Sequence, residues 1–139
     1  MIRGYFDNRK CVVSGEFSML HQYTTASFKA NFLIDTGSDD VVLSDADAKR
    51  LRLKYNLLGS LYTLKGIGSL PAYRVDANIL FQDGARYVGY RQPIYIAEQN
   101  TGLTKSILGQ DVLSRWSIKI NCSQGLLELD PVSSDFTIP

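Results

Sequence analysis

The segment richest in chemical content is Leu33-Ile34-Asp35-Thr36-Gly37-Ser38. A carboxylate placed directly after an apolar run is costly unless it is paired or hydrogen-bonded. Gly37 permits a sharp turn and a close backbone approach. Thr36 and Ser38 carry hydroxyls able to fix the turn and orient the carboxylate. Apolar residues resume at Val41-Val42-Leu43, so the pattern predicts a carboxylate at a rigid loop tip with apolar walls behind it. A carboxylate so held can serve as a general acid or base. The same tetrapeptide also fits an ordinary Asx turn between two strands, and the residues alone leave both readings open.

Other chemistries lack their residues. His21 is the one histidine; it sits in the polar stretch Leu20-His21-Gln22-Tyr23, with no nucleophile motif nearby, and is expected on a surface turn. A zinc site of the Cys/His type lacks ligands. Cys11 and Cys122 are far apart and show no C-x-x-C spacing, so they make no disulfide framework. Buried free thiols are expected, with a single bridge between the termini as the other reading. Basic residues (15) almost balance acidic ones (14), which gives nucleic acid no basic face. Lys49, Arg50, Arg52 and Lys54 are expected as a solvated helix end. No segment is long and apolar enough to cross a membrane as a helix, and Met1 to Asp7 lacks an apolar signal core. A complete chain of this kind is expected to act where it is made, in the cytoplasm, without membrane insertion.

The elements that must position Asp35 are mostly strands. The 139 residues fit one domain, with a core over about 10–130 and a polar, flexible C-terminal tail after Pro131. Val12 and Val13 open a first strand that ends near Ser18. Phe28, Ala30, Phe32 and Ile34 alternate with Lys29 and Asn31, the period of a half-buried strand. Ser44 and Asp47 form a capping-box pattern for a helix of two to three turns, with Ala48 and Leu51 inward. Leu61–Leu64 and Ala72–Val75 flank the glycine-rich tip Lys65-Gly66-Ile67-Gly68-Ser69 and predict a hairpin. Asn78–Phe81 runs into a turn at Gln82-Asp83-Gly84, and the strand over Arg86–Ala97 contains Pro93, a mark of an edge or bulge. Ser106–Gly109 reads as a short apolar strand, and Gln110–Trp116 as a short helix with Val112, Leu113 and Trp116 inward. Ile118, Ile120, Leu126, Leu127 and Leu129 complete the strands around Ser123-Gln124-Gly125.

Ile34-Asp35-Thr36-Gly37-Ser38 resembles the active-site loop of retropepsin-like aspartic proteases. Two further segments match in order: Ile107-Leu108-Gly109-Gln110-Asp111-Val112-Leu113 resembles the family's second signature, and Gly66-Ile67-Gly68 resembles the tip of its flap. Ser44 to Leu53 resembles the helical turn of cellular and bacterial relatives. The resemblance spans roughly Ser27 to Leu129. It implies an all-β fold, a closed β-barrel or sandwich with a flap hairpin and one or two short helices. It implies peptide-bond hydrolysis with no metal and no cofactor, by water activated between two aspartates. With one D-T-G motif per chain, the second Asp35 must come from a second copy. Asp83-Gly84 is the other D-G pair and is read as a hairpin turn.

Carried over residue by residue, Asp35 is catalytic and Thr36, Gly37 and Ser38 form the active-site loop. Thr36 would bond across the dimer axis and Gly37 would present its carbonyl to the substrate backbone. Asp39, Gly66, Ile67, Gly68 and Ile107 would contact an extended peptide or protein substrate, with Ile67 above it and Ile107 in an apolar pocket. The sequence departs from the viral pattern at Gln110, where many members carry arginine, and the expected replacement is a hydrogen bond from Gln110 to Asp39. Asp111 is read as starting its helix. A non-catalytic dimerisation or peptide-binding module on the same fold is the rival reading, and a self-processing domain of a longer precursor is a third.

Overall fold

Ala30 and Phe32 are buried while Lys29 and Asn31 are exposed, so the alternation read from the sequence does set the faces of its strand. The computed structural model describes residues 1–19, 27–55, 58, 60–65 and 69–139. His21 and the tip residues Gly66, Ile67 and Gly68 lie outside the described residues. In chain order the strands are β1 (Ile2–Arg3), β2 (Tyr5–Asp7), β3 (Lys10–Met19), β4 (Phe28–Ile34), β5 (Val42–Leu43), β6 (Leu61–Leu64), β7 (Leu70–Asp83), β8 (Arg86–Ala97), β9 (Ser106–Leu108), β10 (Trp116–Asn121), β11 (Leu126–Pro131) and β12 (Phe136–Ile138). Helix α1 (Asp45–Arg50) follows β5, and α2 (Gln110–Leu113) follows β9.

Strands β8, β5, β9, β4, β3 and β7 are neighbours in that order, and β7 pairs again with β8. The result is the closed six-stranded barrel of the expected all-β fold, with two short helices. Closure removes the free edges that an open sheet would carry. Strand β6 lies on β7, β12 on β8 and β2 on β3, while β1, β11 and β10 form a separate three-stranded sheet. Phe17, Phe32, Ile79, Phe81, Tyr90, Ile96 and Leu108 fill the main core. Each such side chain contributes about 1.5–3 kcal/mol on burial. A second, smaller cluster joins Val42, Leu64, Leu70, Ala72, Ala97 and Ile107.

Both helices are shorter than the sequence pattern predicts. Ser44 caps α1 as expected, its Oγ accepting the Asp47 N–H at 3.0 Å. The helix nevertheless stops at Arg50, and Arg52 takes a left-handed φ of 57°. Helix α2 ends at Leu113 because Trp116 is drawn into β10, opposite Pro131. There its ring meets Phe81 edge-on at 4.9 Å, and its indole N–H donates to the Tyr90 hydroxyl at 2.7 Å.

The tail also differs from its reading as loose. Residues Phe136–Ile138 pair with β8, with Phe136 opposite Gly89. The Phe136 ring occupies the space over Gly89, where a Cβ would meet it at 2.3 Å. Tyr90 donates its hydroxyl proton to the Ser133 carbonyl at 2.9 Å. Cys11 and Cys122 are both free; Cys11 is half-buried and Cys122 exposed, so the expectation of burial fails for Cys122. The reading of Asp83-Gly84 as a turn is matched by Gly84, at φ 63°, and by Arg86 donating to Asp83 Oδ2 from Nε and Nη2.

Candidate active site

Strand β9 enters between β4 and β5. It runs parallel to β4, with Leu33 opposite Ile107 and Ile34 opposite Leu108. It runs antiparallel to β5, with Val42 opposite Ile107. The chain between β4 and β5 must therefore arch over the end of β9, and residues 35–41 form that arch.

The segment that follows β9 fastens the arch by its backbone. The Asp35 N–H donates to the Leu108 carbonyl at 3.1 Å. The Gln110 N–H donates to the Ser38 carbonyl at 2.8 Å and the Asp111 N–H to the Asp39 carbonyl at 3.0 Å. Gly109 makes this approach possible: a Cβ there would lie 2.5 Å from the Asp40 carbonyl oxygen, 2.6 Å from its nitrogen and 2.7 Å from the Ser38 oxygen. Backbone atoms at those distances leave no room for any side chain.

Inside the arch, the Gly37 N–H donates to Asp35 Oδ1 at 3.0 Å, and the Ser38 N–H closes a turn on the Asp35 carbonyl at 3.2 Å. Ser38 is buried, and its hydroxyl donates to the Asp40 carbonyl at 3.1 Å. The hydroxyl therefore braces the arch, and an amide performs the orienting that the sequence reading gave to hydroxyls. Asp35 itself is half-buried, whereas Thr36, Gly37 and Asp39 are exposed. Among the described residues no group is bonded to Asp35 Oδ2, so a fixed carboxylate keeps one oxygen able to accept a proton.

Gln110 is placed differently from its sequence reading. Its Nε2 donates to the Thr36 carbonyl at 3.0 Å rather than to Asp39. It supports the backbone beside the tip and leaves the Asp39 carboxylate to solvent. Asp40 is half-buried, and burial, then the charge of Asp39, pushes its carboxyl up. Ile107 is buried against Leu64 and Leu70, which end the arms on either side of the hairpin tip. The predicted loop residues, Ile107 and the ends of the β6–β7 arms next to the hairpin tip thus come together. Among the described residues no three metal-ligating side chains cluster.

Asp111 has more to do than start a helix. Its Oδ2 accepts the Val41 N–H at 3.2 Å and the Gln92 Nε2–H at 2.5 Å, while Oδ1 accepts the Val112 N–H at 3.0 Å. Burial pushes its carboxyl up to about 6 against the pull of the Val41 amide, with the Asp40 charge adding to the rise.

The family model for "gag-polyprotein putative aspartyl protease" matches residues 24–115, which include the arch, β9 and α2. The chain belongs to the retropepsin-like aspartic protease family. A retropepsin-like aspartic protease from Rickettsia conorii shares the fold of this chain, with a TM-score of 0.59 at 18% identity over 100% of this chain and 92% of that one. The EIAV protease complexed with the inhibitor HBY-793 gives a TM-score of 0.44 at 22% identity, over 77% of this chain and 88% of that one. No curated protein matches this chain at the level of sequence.

Proposed function

We propose that this retropepsin-like protease is an endopeptidase that works as a homodimer, with Asp35 of each copy forming one catalytic pair. The observation that carries the reading is the Asp35 carboxylate itself: one oxygen is fixed by the Gly37 amide, in an arch fastened by residues 108–111. A preorganised carboxylate costs no reorganisation when the reaction occurs.

Two such carboxylates brought together hold one proton between them, because like charges that close do not both ionise. The ionised member takes a proton from water as the water oxygen bonds to the scissile carbonyl carbon. The protonated member hydrogen-bonds the carbonyl oxygen. The carbon–nitrogen bond then breaks as the leaving amine receives a proton. Thr36 would bond across the dimer axis, and the Gly37 carbonyl, Asp39 and Ile107 would contact an extended peptide. The β6–β7 hairpin would act as the flap and carry Gly66, Ile67 and Gly68 over that peptide. Cleavage is expected at mildly acidic pH, where the pair retains its proton.

The test replaces Asp35 by Asn. Cleavage of a peptide library should disappear while the circular dichroism spectrum and melting temperature hold within a few degrees; retained cleavage overturns the reading. Sedimentation of the wild type separates the rival module, since a stable dimer that cuts nothing from acidic to neutral pH would be a binding protein on this fold.

A further inference from the structure

We propose that Asp111 is a positioning residue, which ties the exit of the Asp35 arch to β8 and so sets where the Asp35 carboxylate stands. The inference rests on reading Asp35 as the reacting carboxylate. The β5–β8 ladder already joins the Val41 carbonyl to the Tyr95 N–H; the Asp111 side chain adds a second tie, from the Val41 N–H to Gln92 further back along β8. One oxygen receives both the Val41 N–H, where the arch meets β5, and the Gln92 Nε2–H from β8. The Asp111 backbone N–H holds the Asp39 carbonyl of the same arch. One residue thus holds the arch at two points beyond its tip and fastens it to the barrel wall.

This bridge changes character with pH. The arch presents the Asp40 charge to it, and Asp39 offers its backbone carbonyl. Strand β8 presents the neutral Gln92, and the rest of α2 is Gln110, Val112 and Leu113, all uncharged. Among the described residues no cation acts on the carboxyl, which burial pushes up to about 6. Across the range from about pH 5 to 7 the bridge therefore passes from a neutral acid to a carboxylate. The carboxylate accepts the Val41 and Gln92 protons in stronger, charge-assisted bonds.

The decisive measurement is an amide NMR titration of the full chain from pH 4 to 8. The Val41 amide shift should follow a midpoint near 6, and Asp111→Asn should abolish that titration. A Val41 amide that still titrates near this midpoint in Asp111→Asn, or that does not titrate there in the wild type, overturns the proposal. Asp35→Asn should leave the Val41 titration in place, which separates this inference from the assignment of the reacting group.

Cleavage kinetics supply the second arm. Asp111→Ala should lower kcat about tenfold with KM changed less than about twofold, the mark of a misplaced reacting group. Asp111→Asn, which keeps an acceptor for Val41, should restore most of kcat and lose the wild-type change in rate across this pH range. Equal loss in both variants, or an Asp111→Asn profile identical to the wild type, overturns the proposal. Should Asp111→Ala fail to fold, the titration and Asp111→Asn decide.

Discussion

Two aspartates hold the middle of β8 in the same way and with opposite electrostatics. At the active end of this pair Asp111 takes the Val41 N–H and the Gln92 side chain and secures the Asp35 arch. At the tail end Asp135 takes the Arg91 N–H at 2.7 Å and Arg115 Nη1–H at 3.0 Å and secures the tail. Arg91 and Gln92 are adjacent on β8, so the two anchors stand almost side by side in sequence. Asp111 is more deeply buried and has no cation beside it among the described residues, and its carboxyl rises to about 6. The Arg91 amide, then Arg115, hold the carboxyl of Asp135 below its ordinary value. An identical architectural task is thus compatible with either sign of pH response; cationic partners and depth decide which.

The strongest way to break the active end is Gly109→Ala. The new methyl would press into the backbone of Asp40 and Ser38. A loss of about 3 kcal/mol in unfolding free energy is expected, together with loss of cleavage. Denaturant melts check it.

Tyr90→Phe breaks the other end. The hydroxyl lost is the acceptor for the Trp116 indole and the donor to Ser133. About 2 kcal/mol should be lost because a buried N–H is left without its partner. Exchange of the amides of β12 should quicken more than exchange in the arch, and equal changes at both sites would contradict the separation drawn here.

The contrast in sign is sharpened by pH. Asp111 is raised in the folded state, so its contribution is fully present below the ordinary value of 3.8 and is lost as pH rises through about 6. Asp40, also raised, acts in the same direction. Asp135 is depressed, so its contribution is present above the ordinary carboxyl value and is lost as pH falls through its folded value. Asp83, lowered by its hydrogen bond with the N-terminal ammonium and by Arg86, adds to that acid limb. Stability read from denaturant melts should therefore be highest near 3.8, where the depressed carboxyls have ionised and the raised ones have not, and fall as pH rises to about 6. The loss of unfolding free energy from that maximum to pH 7.5 should amount to about 1–2 kcal/mol. Asp111→Asn should flatten the alkaline limb. Asp135→Asn should flatten the acid limb and cost about 0.5 kcal/mol near neutrality, as expected of a partly exposed ion pair.

Much of the active end is legible in sequence because its signals are local. The D-T-G turn, the alternation along β4, the Ser44 cap and the glycine after Leu108 each declare a local conformation. Even there, Gln110 bonds to Thr36 where Asp39 was expected, because side-chain direction depends on how the arch crosses β9. The tail end is far less legible. Phe136 is a lone aromatic in a polar stretch, and only the bare surface of Gly89, 47 residues away, explains where it goes. Asp111 is similar: its sequence neighbours fit a helix start, while its oxygens answer to Val41 and Gln92. Contacts of that kind arise from barrel closure and have no periodic signature.

Pro93 follows the two anchored residues, Arg91 and Gln92, in the middle of β8. On the side away from β7, the Arg91 N–H is taken by Asp135 and the Tyr95 N–H by the Val41 carbonyl. Proline occupies the position between them and has no N–H to offer. The gap between β12 and β5 therefore gives an incoming chain no row of amide donors on which to add a strand. Along this edge the chain is thereby guarded against pairing with another copy by sheet extension and growing into an aggregate.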